Sequence, residues 1–144
     1  MRSVLGAFAA AVFATSATAG EFYDVYAWSD ARKVGQLIYE TDSGNMAVYR
    51  SGDGNERYYI RQMAGDVSPS GTYQGFFVDY SGSGRPACPS GPGRDHLGNS
   101  IPHWGHLRME WLVDEGGEPQ WVMYIGVCND PISAEPLVAS YQAH

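Results

Sequence analysis

Apolar and polar residues alternate with a period of two along two segments in the C-terminal part of the chain. In residues 107–113 (LRMEWLV), Arg108 and Glu110 fall between apolar neighbours, and residues 120–128 (QWVMYIGVC) continue the alternation. The residues between these segments, 114–119 (DEGGEP), are typical of a turn. Because successive side chains of a strand point to opposite faces, the pattern predicts a β-hairpin with one inward face.

Two tryptophans belong to the inward sets of this hairpin, Trp111 on its first strand and Trp121 on its second. We expect both to be buried, because a side chain of this size contributes most when it is removed from water. Tyr58 and Tyr59 are adjacent in another predicted strand and must therefore point to opposite faces.

The same alternation predicts six more strands, separated by short clusters of Gly, Ser, Asp, Asn and Pro. They cover residues 21–28, 34–40, 45–50, 57–63, 72–80 and 136–142. At most one helical turn is expected, near residues 29–33. Eight short strands joined by tight turns favour an all-β fold, a single small antiparallel barrel, because closure removes exposed strand edges. A two-sheet β-sandwich is the alternative, and a barrel of this size is either filled by its own side chains or holds one small ligand.

The beginning of the chain has the features of an export signal. Arg2 precedes a short apolar stretch, and the tripeptide 17–19 (ATA) fits a cleavage site before Gly20. We therefore expect residues 1–19 to be a signal peptide and residues 20–144 to form one β domain. The apolar stretch is shorter than the roughly 20 residues that a membrane span needs. The predicted location is periplasmic or extracellular, with no membrane span.

Charge and cysteine content narrow the classes of partner. The chain carries 16 acidic and 9 basic residues, a net charge of −7 at pH 7, and Lys33 is its single lysine. A nucleic-acid partner requires a basic face, so it is not expected. The two cysteines, Cys88 and Cys128, are expected to form a disulfide in an exported protein.

One long segment without strand pattern, residues 81–103, contains five glycines and four prolines. Loops of this length in a compact domain are usually functional or disordered. A bond from Cys88 to Cys128 would tie the middle of this loop to the end of a strand. We expect it to form a fixed cover or a rigid projection at one end of the barrel.

Three histidines, His96, His103 and His106, lie within eleven residues and are weak candidates for a metal site. Their spacing matches no standard zinc pattern, and His103 and His106 would lie on opposite faces of an extended strand. Ordinary loop histidines are the favoured interpretation. No catalytic residue and no cofactor are assigned, because neither a G-x-S-x-G motif nor a phosphate-binding glycine motif occurs.

These observations predict an exported, non-enzymatic binding protein that recognises a small ligand or a protein partner, for example as a hydrolase inhibitor. Its expected binding residues are Arg94, His96, His103 and Trp104, because interfaces draw disproportionately on Trp and Arg and a stiff loop loses little entropy on binding. Trp104 could instead anchor the loop on the barrel mouth. The alternative function is a small metal-dependent exported enzyme that uses His96, His103 and His106.

Overall fold

The computed structural model describes residues 26–28, 35–63, 71–82 and 85–141. Within these ranges the protein is all-β, with ten strands and no helix. The strands are β1 (Tyr26–Trp28), β2 (Gln36–Ser43), β3 (Met46–Ser51), β4 (Glu56–Arg61), β5 (Thr72–Asp79), β6 (Gly93–Arg94), β7 (Ser100–Ile101), β8 (Trp104–Val113), β9 (Pro119–Val127) and β10 (Leu137–Tyr141). The expected signal peptide, its cleavage site, residues 21–25 and the possible turn at 29–33 lie outside the described residues.

Seven of the strands form one curled antiparallel sheet, a half-barrel, in the order β2–β3–β4–β5–β8–β9–β10. The predicted all-β class is confirmed, but the predicted barrel of about eight strands is not: the sheet is a curled half-barrel rather than a closed eight-strand barrel. The three described residues of β1 pair with β10, and two of them also pair with β2. The strands β6 and β7 form a separate small sheet within the long loop, which was predicted to be irregular.

The predicted hairpin is confirmed as β8–β9, in which nine residue pairs face one another. Trp111 lies directly opposite Trp121, and both are buried, as expected. Their rings meet edge to face with centroids 6.0 Å apart, and Trp121 makes a similar contact with Tyr73 at 6.2 Å. This chain of aromatic rings crosses the inner face of the sheet from β9 to both β8 and β5.

The concave face of the sheet is filled by its own side chains. They are mostly large and apolar, and each is between 0 and 8% exposed: Leu37, Ala47, Tyr49, Tyr58, Ile60, Met63, Tyr73, Phe77, Leu107, Met109, Trp111, Trp121, Met123 and Ala139. Burial of apolar area on this scale is the main stabilising contribution to a domain of this size. Because successive strand residues alternate between the two faces, every strand of the curled sheet contributes at least one inward residue to this core.

A second, smaller core lies on the convex face. Val48, Tyr59 and Val78 point outward from β3, β4 and β5, and Ile101 of the long loop packs against them. Tyr58 and Tyr59 thus occupy opposite faces, as predicted. Both are buried, Tyr58 in the inner core and Tyr59 beneath the loop. Three outward apolar side chains need a cover, which explains why much of the loop lies along the sheet rather than only at its end.

The predicted Cys88–Cys128 disulfide is confirmed, with 40 residues of sequence separation and a Cα–Cα distance of 5.3 Å. Backbone hydrogen bonds support both ends of this link: the Cys88 N–H donates to the Pro102 carbonyl, and the Cys128 N–H donates to the Trp104 carbonyl, each at 2.9 Å. A disulfide of this kind is typical of proteins in an oxidising, exported compartment.

Within the described ranges, the chain contains no helix with the length and apolar character required to cross a membrane.

Candidate recognition surface

The long loop contains a tight turn, residues 95–99, that is built around one carboxylate. Oδ1 of Asp95 accepts hydrogen bonds from the backbone N–H groups of Leu97 (3.0 Å) and Asn99 (2.8 Å). Oδ2 accepts hydrogen bonds from the Tyr80 hydroxyl (2.7 Å) and Asn99 Nδ2 (2.9 Å). Burial alone would raise the pKa of Asp95, but the hydrogen bonds from Asn99 and Tyr80 outweigh it and hold the pKa below its usual value. Asp95 is therefore an ionised, buried centre that fixes the turn.

His96 ties this turn to the sheet beneath it. Its backbone N–H donates to the Tyr59 hydroxyl at 3.2 Å, and its Nδ1 lies 2.9 Å from the same hydroxyl oxygen. Burial raises the pKa of Tyr59, so the hydroxyl stays protonated at neutral pH. The turn is thus held by Asp95 within the loop and by Tyr59 from strand β4.

Trp104 has the contacts of a loop anchor. Its Nε1 donates to the Gly91 carbonyl at 2.8 Å, and its ring packs against Gly93, where an added Cβ would lie 2.9 Å from Cγ of the indole. The side chain is half-buried. Its ring also meets that of His106 edge to face, with centroids 5.4 Å apart.

The other two candidate binding residues occupy different depths of the loop. Arg94 is exposed and donates from Nη1 to the Gly98 carbonyl at 3.1 Å, so it lies along the side of the turn. His103 is half-buried at the base of the loop, where an added Cβ on Gly82 would lie 2.6 Å from its Nε2. The structure therefore brings Arg94 and His96 to the turn and leaves His103 and Trp104 beneath the loop. Their roles in binding stay predictions.

The three histidines proposed as weak metal candidates have different neighbours. The ring of His96 contacts Tyr59, and the ring of His106 contacts Trp104. In the part of the chain that the structure describes, no group of three His, Cys, Asp or Glu side chains is placed to hold a metal ion.

Leu97, at the apex of the turn, is not among the binding residues predicted from the sequence. Its side chain is 74% exposed, and the neighbouring Gly98 and Asn99 are exposed as well. Residues 95–99 (DHLGN) contain a sequence signal for this turn. Asp side chains often accept hydrogen bonds from backbone N–H groups a few residues later, and Gly and Asn are common in turns. The turn therefore projects from the surface with a large apolar side chain at its tip.

The convex face of the sheet beyond the loop was also missed. We call it the arginine face, and it consists of Arg61, Gln74, Phe76, His106, Arg108 and Tyr124. Gln74 faces Arg108 across β5 and β8, Arg108 faces Tyr124 across β8 and β9, and Phe76 faces His106. The guanidinium of Arg61 lies 5.9 Å from the centroid of the Phe76 ring, and that of Arg108 lies 4.5 Å from the centroid of the Tyr124 ring. The alternating pattern already placed these residues on the outward faces of their strands. Which strands are neighbours had to be known before these residues could be recognised as one surface.

The arginine face adjoins the turn through stacked rings. Tyr59, which holds His96, stacks on Phe76 with centroids 4.4 Å apart and nearly parallel planes. Phe76 is half-buried and marks the border, because the loop covers Tyr59 while Arg61 and His106 are exposed. The two regions are therefore neighbours, joined by the side chain of the buried Tyr59.

A second polar cluster ties the start of the loop to one end of the sheet. Arg85 Nη2 lies 2.7 Å from Glu56 Oε1, its Nε lies 3.8 Å from Asp79 Oδ2, and its guanidinium covers the Phe77 ring at 4.4 Å from the centroid. Tyr58 donates to Glu56, and burial followed by the charge of Glu56 raises the pKa of Tyr58 well above its usual value. Because the carboxylates here are paired with Arg85, the cluster acts as a structural closure of the sheet end.

No family model, no curated protein and no solved structure matches this chain.

Proposed function

We propose that this protein is an exported, non-enzymatic binding protein that recognises another exported protein through the disulfide-pinned loop. The observation that carries the proposal is the turn at residues 95–99. There, Leu97 is 74% exposed in a turn whose buried carboxylate, Asp95, accepts four hydrogen bonds, two of them from backbone N–H groups of the turn.

A single exposed leucine is ordinary on a protein surface. Leu97 differs because its turn is immobilised by Asp95, by the contact between His96 and Tyr59, and by the disulfide. Binding to a partner then orders one side chain rather than a whole loop, which reduces the entropy lost on association. The expected energetic contribution of Leu97 follows from its burial in a partner's pocket, about 1.5–3 kcal/mol.

The filled concave face favours a protein partner over a small ligand inside the sheet. The buried side chains of the core cluster are between 0 and 8% exposed, as in a closely packed protein interior. Recognition is therefore expected on the outside of the sheet. A projecting, rigid turn with an apolar tip has a shape that can enter a cleft, and this favours a hydrolase as the partner.

The metal-dependent alternative has no supporting observation among the described residues, in which no three ligating side chains converge. Export is supported by the disulfide, which is typical of oxidising compartments, and by the signal-like N-terminal sequence. The choice between periplasm and medium is part of the test below.

The experiment starts from the purified protein with its disulfide formed, immobilised and exposed to the periplasmic and culture-medium fractions of its source. A retained protein is identified by mass spectrometry and purified, and its Kd is measured against the wild type and two variants. Leu97→Ala is expected to weaken binding about ten- to a hundredfold. Leu112→Ala is the matched control, because Leu112 is 46% exposed on β8 and the same atoms are removed.

Two outcomes would overturn the proposal. One is an equal loss of affinity in both leucine variants, which would mean that the effect does not come from the turn. The other is a small molecule retained by the natively isolated protein, without any protein partner in either fraction. Circular dichroism and urea unfolding of both variants establish that each is folded before its Kd is compared.

A further inference from the structure

Two arginines lie together on one face of an otherwise acidic protein. The chain has a net charge of −7, yet Arg61 and Arg108 both lie on the convex face, where Glu110 is the carboxylate that approaches Arg108. Elsewhere, Arg57 is paired with Glu40 and Arg85 with Glu56, so those guanidinium groups are used within the fold. Among the described residues no carboxylate pairs with Arg61, whose guanidinium lies over the ring of Phe76.

The arginines of this face are held in a way that leaves them able to bind. A guanidinium stacked on an aromatic ring is fixed in orientation, while the N–H groups along its edge still point outward. The guanidinium of Arg61 lies over the ring of Phe76 and that of Arg108 over the ring of Tyr124, and the exposed Gln74 lies on the strand between them. Arg61 is exposed and can donate to a carboxylate in a bidentate arrangement, which is the strongest form of this hydrogen bond. Nε of Arg108 is buried and faces Glu110, so a partner's carboxylate would be bound there through the Nη groups.

We propose that the arginine face binds an acidic segment of the protein partner, with carboxylates seated on Arg61 and Arg108 while Leu97 enters an apolar pocket of the same partner. This inference rests on the proposed function and specifies the chemistry of the partner. The charge complementarity carries it: a locally cationic face on a protein whose net charge is negative selects an anionic surface.

A protein segment fits this surface better than an acidic polysaccharide does. The turn and the arginine face are neighbours, because Tyr59 contacts both His96 and Phe76, so one partner can contact both. Leu97 requires an apolar complement, which side chains provide and uronic acid units do not. An apolar anchor beside charged groups at a rim is the usual composition of a protein–protein interface.

Substitution of Glu110 gives a test in which the proposal predicts stronger rather than weaker binding. Its Oε1 lies 3.4 Å from Arg108 Nε, so it competes with an incoming carboxylate for the same guanidinium. Removal of this charge by Glu110→Gln is expected to strengthen the binding of an acidic ligand by about two- to threefold. Loss of a structural contact alone would weaken binding or leave it unchanged.

The experiment measures the affinity of the purified full chain for a glutamate-rich peptide, a polygalacturonate of equal charge and a lysine-rich peptide. Two double variants are compared that change the net charge equally. R61Q/R108Q removes the arginines of the arginine face, and R50Q/R57Q removes two arginines of β3 and β4 that lie outside this face and outside the turn. We expect R61Q/R108Q to bind the glutamate peptide about fivefold more weakly or worse, with a smaller dependence on salt, and R50Q/R57Q to stay within about twofold of the wild type.

Several results would overturn the inference. Equal losses in the two double variants would show that net charge alone is responsible. Tighter binding of polygalacturonate than of the peptide would assign the face to a polysaccharide, and absence of binding to either polyanion would remove the face as an anion site. These results are separable from the proposed function, because a captured partner that loses affinity with Leu97→Ala but not with R61Q/R108Q would retain the recognition turn and refute only the arginine face.

Discussion

Replacement of Asp95 by Ala should release the recognition turn without unfolding the sheet. The change removes four accepted hydrogen bonds, two from the backbone N–H groups of Leu97 and Asn99, one from Asn99 Nδ2 and one from the Tyr80 hydroxyl. Hydrogen bonds to a charged group contribute about 1.5–3 kcal/mol each when no water replaces them. Here Leu97, Asn99 and Tyr80 are all exposed, so water satisfies most of the released donors. The expected cost is therefore about 2–3 kcal/mol rather than the sum of four bonds.

The amide of Gly98 is the clearest reporter of this loss. It donates to the Asp95 backbone carbonyl at 3.1 Å, a bond that the substitution does not remove directly. If the turn opens more readily by 2–3 kcal/mol, hydrogen exchange at Gly98 should become about 30- to 150-fold faster. Amides of β9, such as that of Met123 in the core, should keep their protection because the disulfide still joins the loop to the end of that strand.

Asp95→Asn is the graded control for this experiment. An amide oxygen at the Oδ1 position can still accept from the N–H groups of Leu97 and Asn99, whereas Nδ2 cannot accept from Tyr80. Its effect on exchange at Gly98 should lie between those of the wild type and Asp95→Ala. A change of less than about threefold at Gly98 in Asp95→Ala would refute the reasoning that this carboxylate fixes the turn. Equal acceleration in β9 would show that the turn and the sheet unfold as one unit.

Three further predictions concern stability. Trp111→Ala should reduce the free energy of unfolding in urea by about 3–5 kcal/mol, because the side chain is 2% exposed, and a loss below about 1 kcal/mol would contradict its place in the core. The double change Cys88→Ala and Cys128→Ala should cost up to about 4 kcal/mol, the chain-entropy value for a 40-residue separation, and an unchanged unfolding midpoint would contradict this. The free energy of unfolding should decrease at both low and high pH. The pKa of Asp95 is depressed by its hydrogen bonds against the effect of burial, so its contribution is present above about pH 4 and is lost as the pH falls through the folded-state value. Burial raises the pKa of Tyr58, so stability is also lost as the pH rises past about 10, and a flat profile at either end would refute the corresponding assignment.

Local pattern in the sequence was sufficient for most of the strands and for the inward residues of the hairpin. The alternation in residues 107–113 and 120–128 predicted that Trp111 and Trp121 are buried, and they face one another across β8 and β9. This works because the two-residue period of a strand is a local property of the backbone. The disulfide was equally predictable, since two cysteines allow one pairing.

The architecture of the sheet and the position of the loop were decided only by tertiary structure. Nothing in the alternation shows that seven strands curl into a half-barrel, because the curvature of a sheet depends on how neighbouring strands pair and twist. Likewise, the outward residue Tyr59 looks exposed from its period, but it is buried because Ile101 and His96 of a loop some forty residues later lie over it. The sequence by itself determined that the chain is all-β, which side of each strand is apolar, and which cysteines pair, because these follow from neighbours along the chain. Only the folded structure assembled Arg61, Phe76 and Arg108 into one surface beside Leu97, because these residues come from separate strands and a loop, and their proximity arises from strand pairing that a local pattern does not encode.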